Sequence, residues 1–150
     1  MTKLDVLDFK ILRELQNDCR HSLHELADSV GSPVSTIHYR VKRLEKESII
    51  KGYSAILNPI KLHMDFHAII QVYAKHGPSF EDLGSQIARI NGVWAVYWAL
   101  GAVDYFILAR AKDRDEFNGI LRRIMNIDGV ERTNTHVIAR VFKENPQLNI

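Results

Sequence analysis

The chain has 150 residues, of which 46% are hydrophobic and 25% are charged, and it carries a formal net charge of +2. This composition excludes a disordered or fibrous chain, and the length allows one domain or two small ones. The single cysteine, Cys19, excludes an intrachain disulfide. The chain shows neither an apolar signal segment nor the roughly 18 consecutive apolar residues of a membrane span. We therefore expect a cytoplasmic protein with no membrane partner.

Residues 23–47 have the pattern of two short helices joined by a tight turn. Ser22 and Glu25 form an S-x-x-E capping box that begins the first helix, and a glycine ends it. Ser32 and Pro33 follow as an N-cap residue and a first-turn proline, which predicts a second helix running to about position 47. Two helices joined this closely must cross at a steep angle, as in a helix-turn-helix.

The second helix has one apolar side and one side rich in hydrogen-bond donors. Apolar residues recur at spacings of three and four, which predicts a buried stripe of Val34, Ile37, Val41 and Leu44. In a recognition helix the N-terminal side chains contact base edges. We therefore assign base reading to Ser35, Thr36, His38, Tyr39 and Arg40. We assign phosphate contacts to Lys42, Arg43 and Lys46. The alternative is that this polar face is only solvated.

The segment after this helix is predicted to form a strand-like wing over residues 50–57, which would complete a DNA-binding domain at residues 1–58. The pair Asn58 and Pro59 is prone to turns, so we expect a linker at residues 59–65.

Three segments carry a resemblance to a known family. They are the run L-D-V-L-D at residues 4–8, the run R-V-K-R-L-E at 40–45, and the segment at 50–59 with its pattern G-Y-x-A-x-L-N-P. Together they resemble the Lrp/AsnC family of transcriptional regulators, and the likeness covers nearly the whole chain. The resemblance implies that the chain binds double-stranded promoter DNA. Ser48 stands where the family usually has a glycine, so we expect a helix C-cap with modest strain.

Residues 66–150 alternate between strand and helix patterns. Strands are predicted at 66–75, 93–100, 105–111 and 130–142, and a helix at 113–127 follows the third of them. Ser79 and Asp82 are predicted to cap the other helix, which follows the first strand. The order β-α-β-β-α-β is ferredoxin-like. The expected fold class is thus α+β, with a winged helix-turn-helix domain followed by a ferredoxin-like βαββαβ domain. The resemblance implies that this second domain, at residues 66–150, binds an effector and mediates oligomerisation.

Two helices cover only one face of such a sheet, and the second face should be polar if it meets water. The sequence is instead apolar there. Residues 93–100 include no charged side chain, and Ile69, Val72, Phe106 and Ile107 leave few polar positions on neighbouring strands. We therefore expect a homodimer that packs sheet against sheet and binds a palindromic site. The alternative is a monomer whose loop or tail covers the sheet.

The turn Gly101-Ala102-Val103-Asp104 is similar to the family's G-x-x-D turn, which in relatives helps to bind an amino acid between dimers. The resemblance implies a small amino-acid effector and assembly into tetramers or octamers. Glycine lets a backbone amide approach a carboxylate, and Asp104 can pair with an α-ammonium group. The candidate effector-binding residues are Leu100, Gly101, Ala102, Val103, Asp104, Tyr105, Thr133 and Thr135. The alternative is an ordinary β-turn beside two threonines that favour a strand.

No metal-ligand spacing, phosphate-binding glycine loop or activated nucleophile is evident, so we expect no catalysis, no metal and no cofactor. His21 and His24 lack further ligands, and a base-stacking role for Trp94, Tyr97 and Trp98 lacks basic neighbours. The alternative function is that of a sirohaem-decarboxylase-like enzyme, whose two-domain plan the chain also resembles. Its candidate residues for acidic tetrapyrrole side chains are Tyr105, Arg110, Arg132 and His136.

Overall fold

The computed structural model describes residues 3–77 and 80–150. They form two compact units, one of the residues up to Ile56 together with Glu144–Ile150, and one of the residues from Leu57 to Lys143. The main difference from the expected domain limits is the C-terminal segment, which belongs to the first unit. Its hydrogen bonds explain this, because Gln16 accepts from the Leu148 amide at 2.6 Å and donates to the Leu148 carbonyl oxygen at 3.2 Å.

The first unit contains three helices around one small core. They are α1 (Val6–Asn17), α2 (Leu23–Val30) and α3 (Val34–Lys46). Both α1 and α2 begin with capping boxes, formed by Asp5 with Asp8 and by Ser22 with Glu25, so the orphan amides at these helix starts are satisfied. The core consists of Ile11, Leu26, Ala27, Ile37, Val41 and Leu44. The predicted buried stripe of α3 is therefore confirmed at Ile37, Val41 and Leu44, and Val34 is partly buried against the same core.

The turn between α2 and α3 differs in one detail from the sequence prediction. Gly31 adopts a left-handed conformation with φ 68°, and the Ser32 amide donates to the Ala27 carbonyl oxygen at 3.0 Å. Ser32 therefore closes α2, and its prediction as the N-cap of α3 is wrong. The N-cap of α3 is Pro33, which makes no side-chain capping bond.

The chain leaves α3 through a left-handed residue and then has no regular secondary structure from residue 51 to residue 58. Ser48 has φ 56°, and the amides of Ile49 and Ile50 both donate to the Leu44 carbonyl oxygen. The predicted strand-like wing is absent as a strand, because no neighbouring segment in the described part of the chain offers it a hydrogen-bonding partner. A short 3-10 helix, Ile60–Leu62, lies within the predicted linker.

The second unit is a four-stranded antiparallel sheet with two helices. Its elements are β1 (Phe66–Ala74), α4 (Phe80–Ala88), β2 (Val93–Trp98), β3 (Tyr105–Ala111), α5 (Arg114–Met125) and β4 (Val130–Val137). The strand order is β2-β3-β1-β4, so the predicted βαββαβ topology is confirmed. The predicted strands β2 and β4 were too long at their C-terminal ends. The predicted cap at Ser79 lies outside the described residues.

Strand register decides which residues face the helices. The buried residues on the helix-covered side are Ala68, Ile70, Val72 and Ala74 on β1, Tyr105, Ile107, Ala109 and Ala111 on β3, Leu83 and Ile87 on α4, and Phe117, Ile120 and Ile124 on α5. Val72 and Ile107 thus belong to the core, and their prediction on the second face is wrong. That second face, here called the open face, carries Ile69, Trp94, Tyr97, Phe106 and Leu108 and, towards β4, the polar Gln71, Arg132, Asn134 and His136.

Candidate nucleic-acid interface and effector site

The side of α3 away from the core is a continuous exposed stripe. Its spacing of three or four residues keeps the side chains on one face of the helix. The exposed residues are Ser35, His38, Tyr39, Lys42 and Lys46, and Thr36 is half-buried beside them. Tyr39 is 67% exposed, so most of its side chain is accessible from outside the protein. These positions are geometrically suited to the contacts with DNA that the sequence indicates.

Arg40 and Arg43 point towards α1 instead. Arg40 Nη1 donates to Asp5 Oδ2 at 2.6 Å and to Asp8 Oδ1 at 3.0 Å, while Arg43 Nη2 donates to Asp8 Oδ2 at 2.6 Å. The bond from Arg40 is the main reason that the pKa of Asp5 is lowered, and the same carboxylates raise the pKa of Arg40. Both arginines thus have partners inside the protein that the sequence interpretation missed. A signal existed, since Asp8 lies three residues before Ile11 on the apolar side of α1.

Glu45 connects the end of α3 to the segment that follows it. It accepts from Lys42 Nζ at 3.0 Å and from the Tyr53 hydroxyl at 3.1 Å, and these two bonds, in that order, lower its pKa. Burial, followed by the neighbouring Glu45 carboxylate, raises the pKa of Tyr53 to about 12. Lys42 therefore combines solvent exposure with an ion pair along the helix.

The candidate effector turn lies between β2 and β3 and is largely open to solvent. Leu100 is 92% exposed, and Gly101 and Ala102 are also exposed. Asp104 is mostly covered and holds the end of β1, because its Oδ2 accepts from the Ala74 amide at 2.9 Å. Its Oδ1 lies 3.3 Å from His76 Nε2. The turn is therefore built around a carboxylate that already has partners in the protein.

Tyr105 belongs to the core and not to the open turn. It is 4% exposed, and its hydroxyl donates to the Phe80 carbonyl oxygen at 2.8 Å. Burial, and to a smaller extent the charge of Asp104, raises the pKa of Tyr105. The prediction of Tyr105 as an effector contact does not fit this structure, since both its ring and its hydroxyl are engaged.

Thr133 and Thr135 are half-buried on the helix-covered side of β4. Thr133 pairs with Val72, which also pairs with Tyr105 at the start of β3, so the turn and Thr133 lie at the same end of the sheet. One strand separates them, a distance of about 10 Å. Thr135 pairs with Ile70 and lies further from that end. The structure thus brings Thr133 near the turn but leaves the set open to solvent within one chain.

Other kinds of site receive no support from the described residues. Among them, no group of three or more His, Cys, Asp or Glu side chains is arranged to hold a metal ion. None of their helices has both the length and the apolar character required to cross a membrane. Cys19 is exposed.

The fold and the two candidate sites define a regulator with one DNA-binding unit and one ligand-binding unit. The sequence model for winged helix-turn-helix DNA-binding domains matches residues 4–51, and that for the Lrp/AsnC ligand binding domain matches residues 67–148. The chain belongs to the Lrp/AsnC family. It is a DNA-binding transcriptional regulator of that type, and the enzyme alternative is not favoured.

Individual relatives match along almost the full chain. An uncharacterised HTH-type transcriptional regulator of Pyrococcus abyssi is 37% identical over 145 residues, which cover 97% of this chain and 98% of that protein. A crystal structure of a transcriptional regulator from Neisseria meningitidis in complex with L-Met has a TM-score of 0.89 at 26% identity, covering 97% of this chain and 96% of that one. The feast or famine regulatory protein from M. tuberculosis, complexed with L-methionine, has a TM-score of 0.88 at 31% identity, covering 97% and 99%.

Proposed function

We propose that this regulator reads promoter DNA through the exposed stripe of α3 and changes its assembly when a small amino acid binds near the β2–β3 turn. The observation that carries the DNA part is the exposure of Tyr39 and its neighbours opposite a buried apolar stripe. The DNA-contacting residues in this proposal are Ser35, Thr36, His38, Tyr39, Lys42 and Lys46. The protein acts in the cytoplasm, where its DNA target lies.

Exposure and chemistry divide the stripe into two parts. The N-terminal part offers hydroxyl groups, an imidazole and an aromatic ring, which suit contacts with base edges in a major groove. The C-terminal part offers the ammonium groups of Lys42 and Lys46, which suit phosphates. This division supports sequence reading by one end of the helix and charge neutralisation by the other.

The effector proposal rests on the open turn and on what the structural relatives bind. The N. meningitidis and M. tuberculosis regulators are described as complexes with L-methionine. At Gly101 an added Cβ would meet no atom within 4 Å, so space is available beside the backbone for a carboxylate. Leu100 and Ala102 flank this space and are exposed. We propose that a second dimer completes the site, because one chain leaves the turn and Thr133 open.

The open face supports self-association. Trp94 is 48% exposed and Tyr97 is 56% exposed, and both lie on β2, next to Phe106 and Leu108 on β3. An aromatic side chain buries about 150–250 Å² when it is completely covered, and roughly half of that area is still exposed at each of these two residues, which favours a partner surface of similar character. We propose a twofold dimer through this face, with dimers assembling further into tetramers or octamers on a palindromic site.

Footprinting on the protein's own promoter, with and without L-methionine, tests the DNA proposal. We expect protection of a palindromic site whose half-sites lie about one helical turn apart or a multiple of it. If no site were protected at low salt, either on this promoter or on a duplex selected from a random library, DNA reading by α3 would be contradicted.

Calorimetry with each of the twenty amino acids tests the effector proposal independently. Gly101→Val should abolish the heat of binding while leaving the unfolding temperature unchanged, because the added side chain points into open space. Gly119→Ala is the matched control, since its Cβ also meets no atom within 4 Å, and it should bind as the wild type does. The absence of heat with all twenty amino acids would contradict the effector site.

Sedimentation equilibrium tests the proposed dimer. A result that gives only the 17.2 kDa monomer would contradict it.

A further inference from the structure

Asp8 is a fully buried carboxylate in the DNA-binding unit. It lies on α1 with 0% exposure, beside a core made of aliphatic side chains such as Ile11 and Leu44. A buried charge is costly unless cations and hydrogen-bond donors surround it. The aliphatic side chains of this core cannot supply them, so Asp8 requires polar partners from elsewhere in the unit.

Both oxygens of Asp8 have such partners. Oδ1 accepts from Arg40 Nη1 at 3.0 Å, and Oδ2 accepts from Arg43 Nη2 at 2.6 Å. Oδ2 also accepts from the Asp5 amide at 3.0 Å. The two arginines are three residues apart on α3, so a single carboxylate holds them on one side of that helix.

This arrangement withdraws the arginines from solvent. The side chains of Arg40 and Arg43 are 21% and 26% exposed, whereas that of Lys42 is 65% exposed. Arg43 Nε is buried and has no hydrogen-bond partner among the described residues, which shows how far the guanidinium is turned inward. The positive charge that α3 presents outwards therefore comes from its lysines.

We propose that Asp8 is a positioning residue for DNA recognition, which keeps Arg40 and Arg43 off the phosphate backbone and fixes the rotation of α3 about its axis. Because the Asp8 carboxylate binds Arg40 and Arg43 on one side of the helix, Ser35 and Tyr39 are held on the opposite, outer side. Charge-driven binding to any sequence is thereby reduced relative to binding that depends on base contacts. This inference rests on the DNA-reading stripe proposed above.

The test measures the affinity for a duplex selected from a random library and for an unrelated duplex over a series of salt concentrations. Lys46→Gln provides the scale, because loss of one phosphate contact reduces the slope of log K against log salt by about 1. Arg40→Gln and Arg43→Gln should each leave the slope at the wild-type value and lower the ratio of the two affinities. Each variant leaves Asp8 one guanidinium, which preserves a partner for the buried charge.

Asp8→Asn should act in the opposite way on unselected DNA. Arg43 loses its carboxylate partner, whereas Arg40 keeps its bond to Asp5 Oδ2. Binding to the unrelated duplex should therefore tighten and the salt slope should steepen by up to about 1, while the ratio of affinities falls. Circular dichroism melting checks that the unit is folded, and if Asp8→Asn does not fold, the two arginine variants decide the question.

Two results would overturn the proposal. In one, Arg40→Gln or Arg43→Gln reduces the slope as much as Lys46→Gln does, which would mean that the arginine meets a phosphate. In the other, a folded Asp8→Asn variant has the wild-type slope and affinity ratio. If the wild-type protein bound neither duplex at low salt, the proposal that α3 reads DNA would itself be contradicted. Failure of the Asp8 proposal and failure of the DNA-reading proposal are therefore distinguishable.

Discussion

The Tyr53 hydroxyl donates a hydrogen bond of 3.1 Å to Glu45 Oε1, which fixes the segment after α3 to the helix that carries the exposed stripe proposed to read DNA. This segment has no strand partner in the described part of the chain, so a side-chain contact takes over part of the role that backbone pairing has in a wing. Burial of the phenol, followed by this contact, raises the pKa of Tyr53 to about 12 from its ordinary value of 10.0.

Tyr53→Phe should destabilise the protein most below about pH 10 and progressively less above it. Folding raises the pKa of this phenol, so its contribution is fully present below the unfolded pKa and is lost as the pH rises through the folded pKa. The difference between the urea midpoints of the wild type and the variant, measured at about pH 8, 10 and 11, should therefore become smaller as the pH rises. Glu45→Gln is the control and should lower the pKa of Tyr53, because it removes the carboxylate and leaves only burial. A difference in midpoint that is constant with pH would contradict this account.

Ser48→Gly should stabilise the DNA-binding unit by about 0.5–1 kcal/mol. Ser48 has φ 56°, where a side chain is strained, and this relief exceeds the extra freedom that glycine gives the unfolded chain. Gly31→Ala is the reciprocal change at φ 68°, and it should destabilise by about 1 kcal/mol although its Cβ meets no atom within 4 Å. Urea unfolding at neutral pH measures both. Shifts of the same sign would show that left-handed backbone strain does not decide the stability at these two positions.

Gly92→Ala should destabilise the ligand-binding unit by about 2–4 kcal/mol. Its φ is 93°, and an added Cβ would collide with Ile120 Cδ1 and lie 2.9 Å from the Arg110 carbonyl oxygen. Gly129→Ala is the matched control, because φ is 94° and no atom lies within 4 Å of the added Cβ. It should cost only about 1 kcal/mol. Thermal unfolding should separate the two variants clearly, and equal costs would mean that the collision is relieved by movement of Ile120.

Tyr39→Ala and Lys46→Gln should affect DNA binding in different ways. Tyr39 is 67% exposed near the middle of α3, so its loss should change the preferred sequence in a selection from a random duplex library. Lys46→Gln should weaken binding to all duplexes to a similar degree and reduce the salt slope by about 1. If both variants changed only the overall affinity, Tyr39 would have no role in base reading.

Local sequence patterns were sufficient to place most of the fold. The capping box of Ser22 with Glu25 and the alternation along β1 and β3 depend on residues only two to four positions apart, so they can be read directly from the chain. The buried stripe of α3 follows for the same reason, and with it the exposed position of Tyr39. The left-handed backbone at Ser48, with φ 56°, was also expected, through the family resemblance that implies a glycine at this position.

Contacts between distant segments determined the rest. Asp8 holds Arg40 and Arg43 away from the exposed stripe of α3, a pairing across more than thirty positions that helical periodicity does not report. Tyr105 follows the exposed turn in sequence, yet its parity on β3 places it under α4, where its hydroxyl binds Phe80. Burial and charge pairing depend on which elements meet in space, and that is fixed only when the helices and strands pack together.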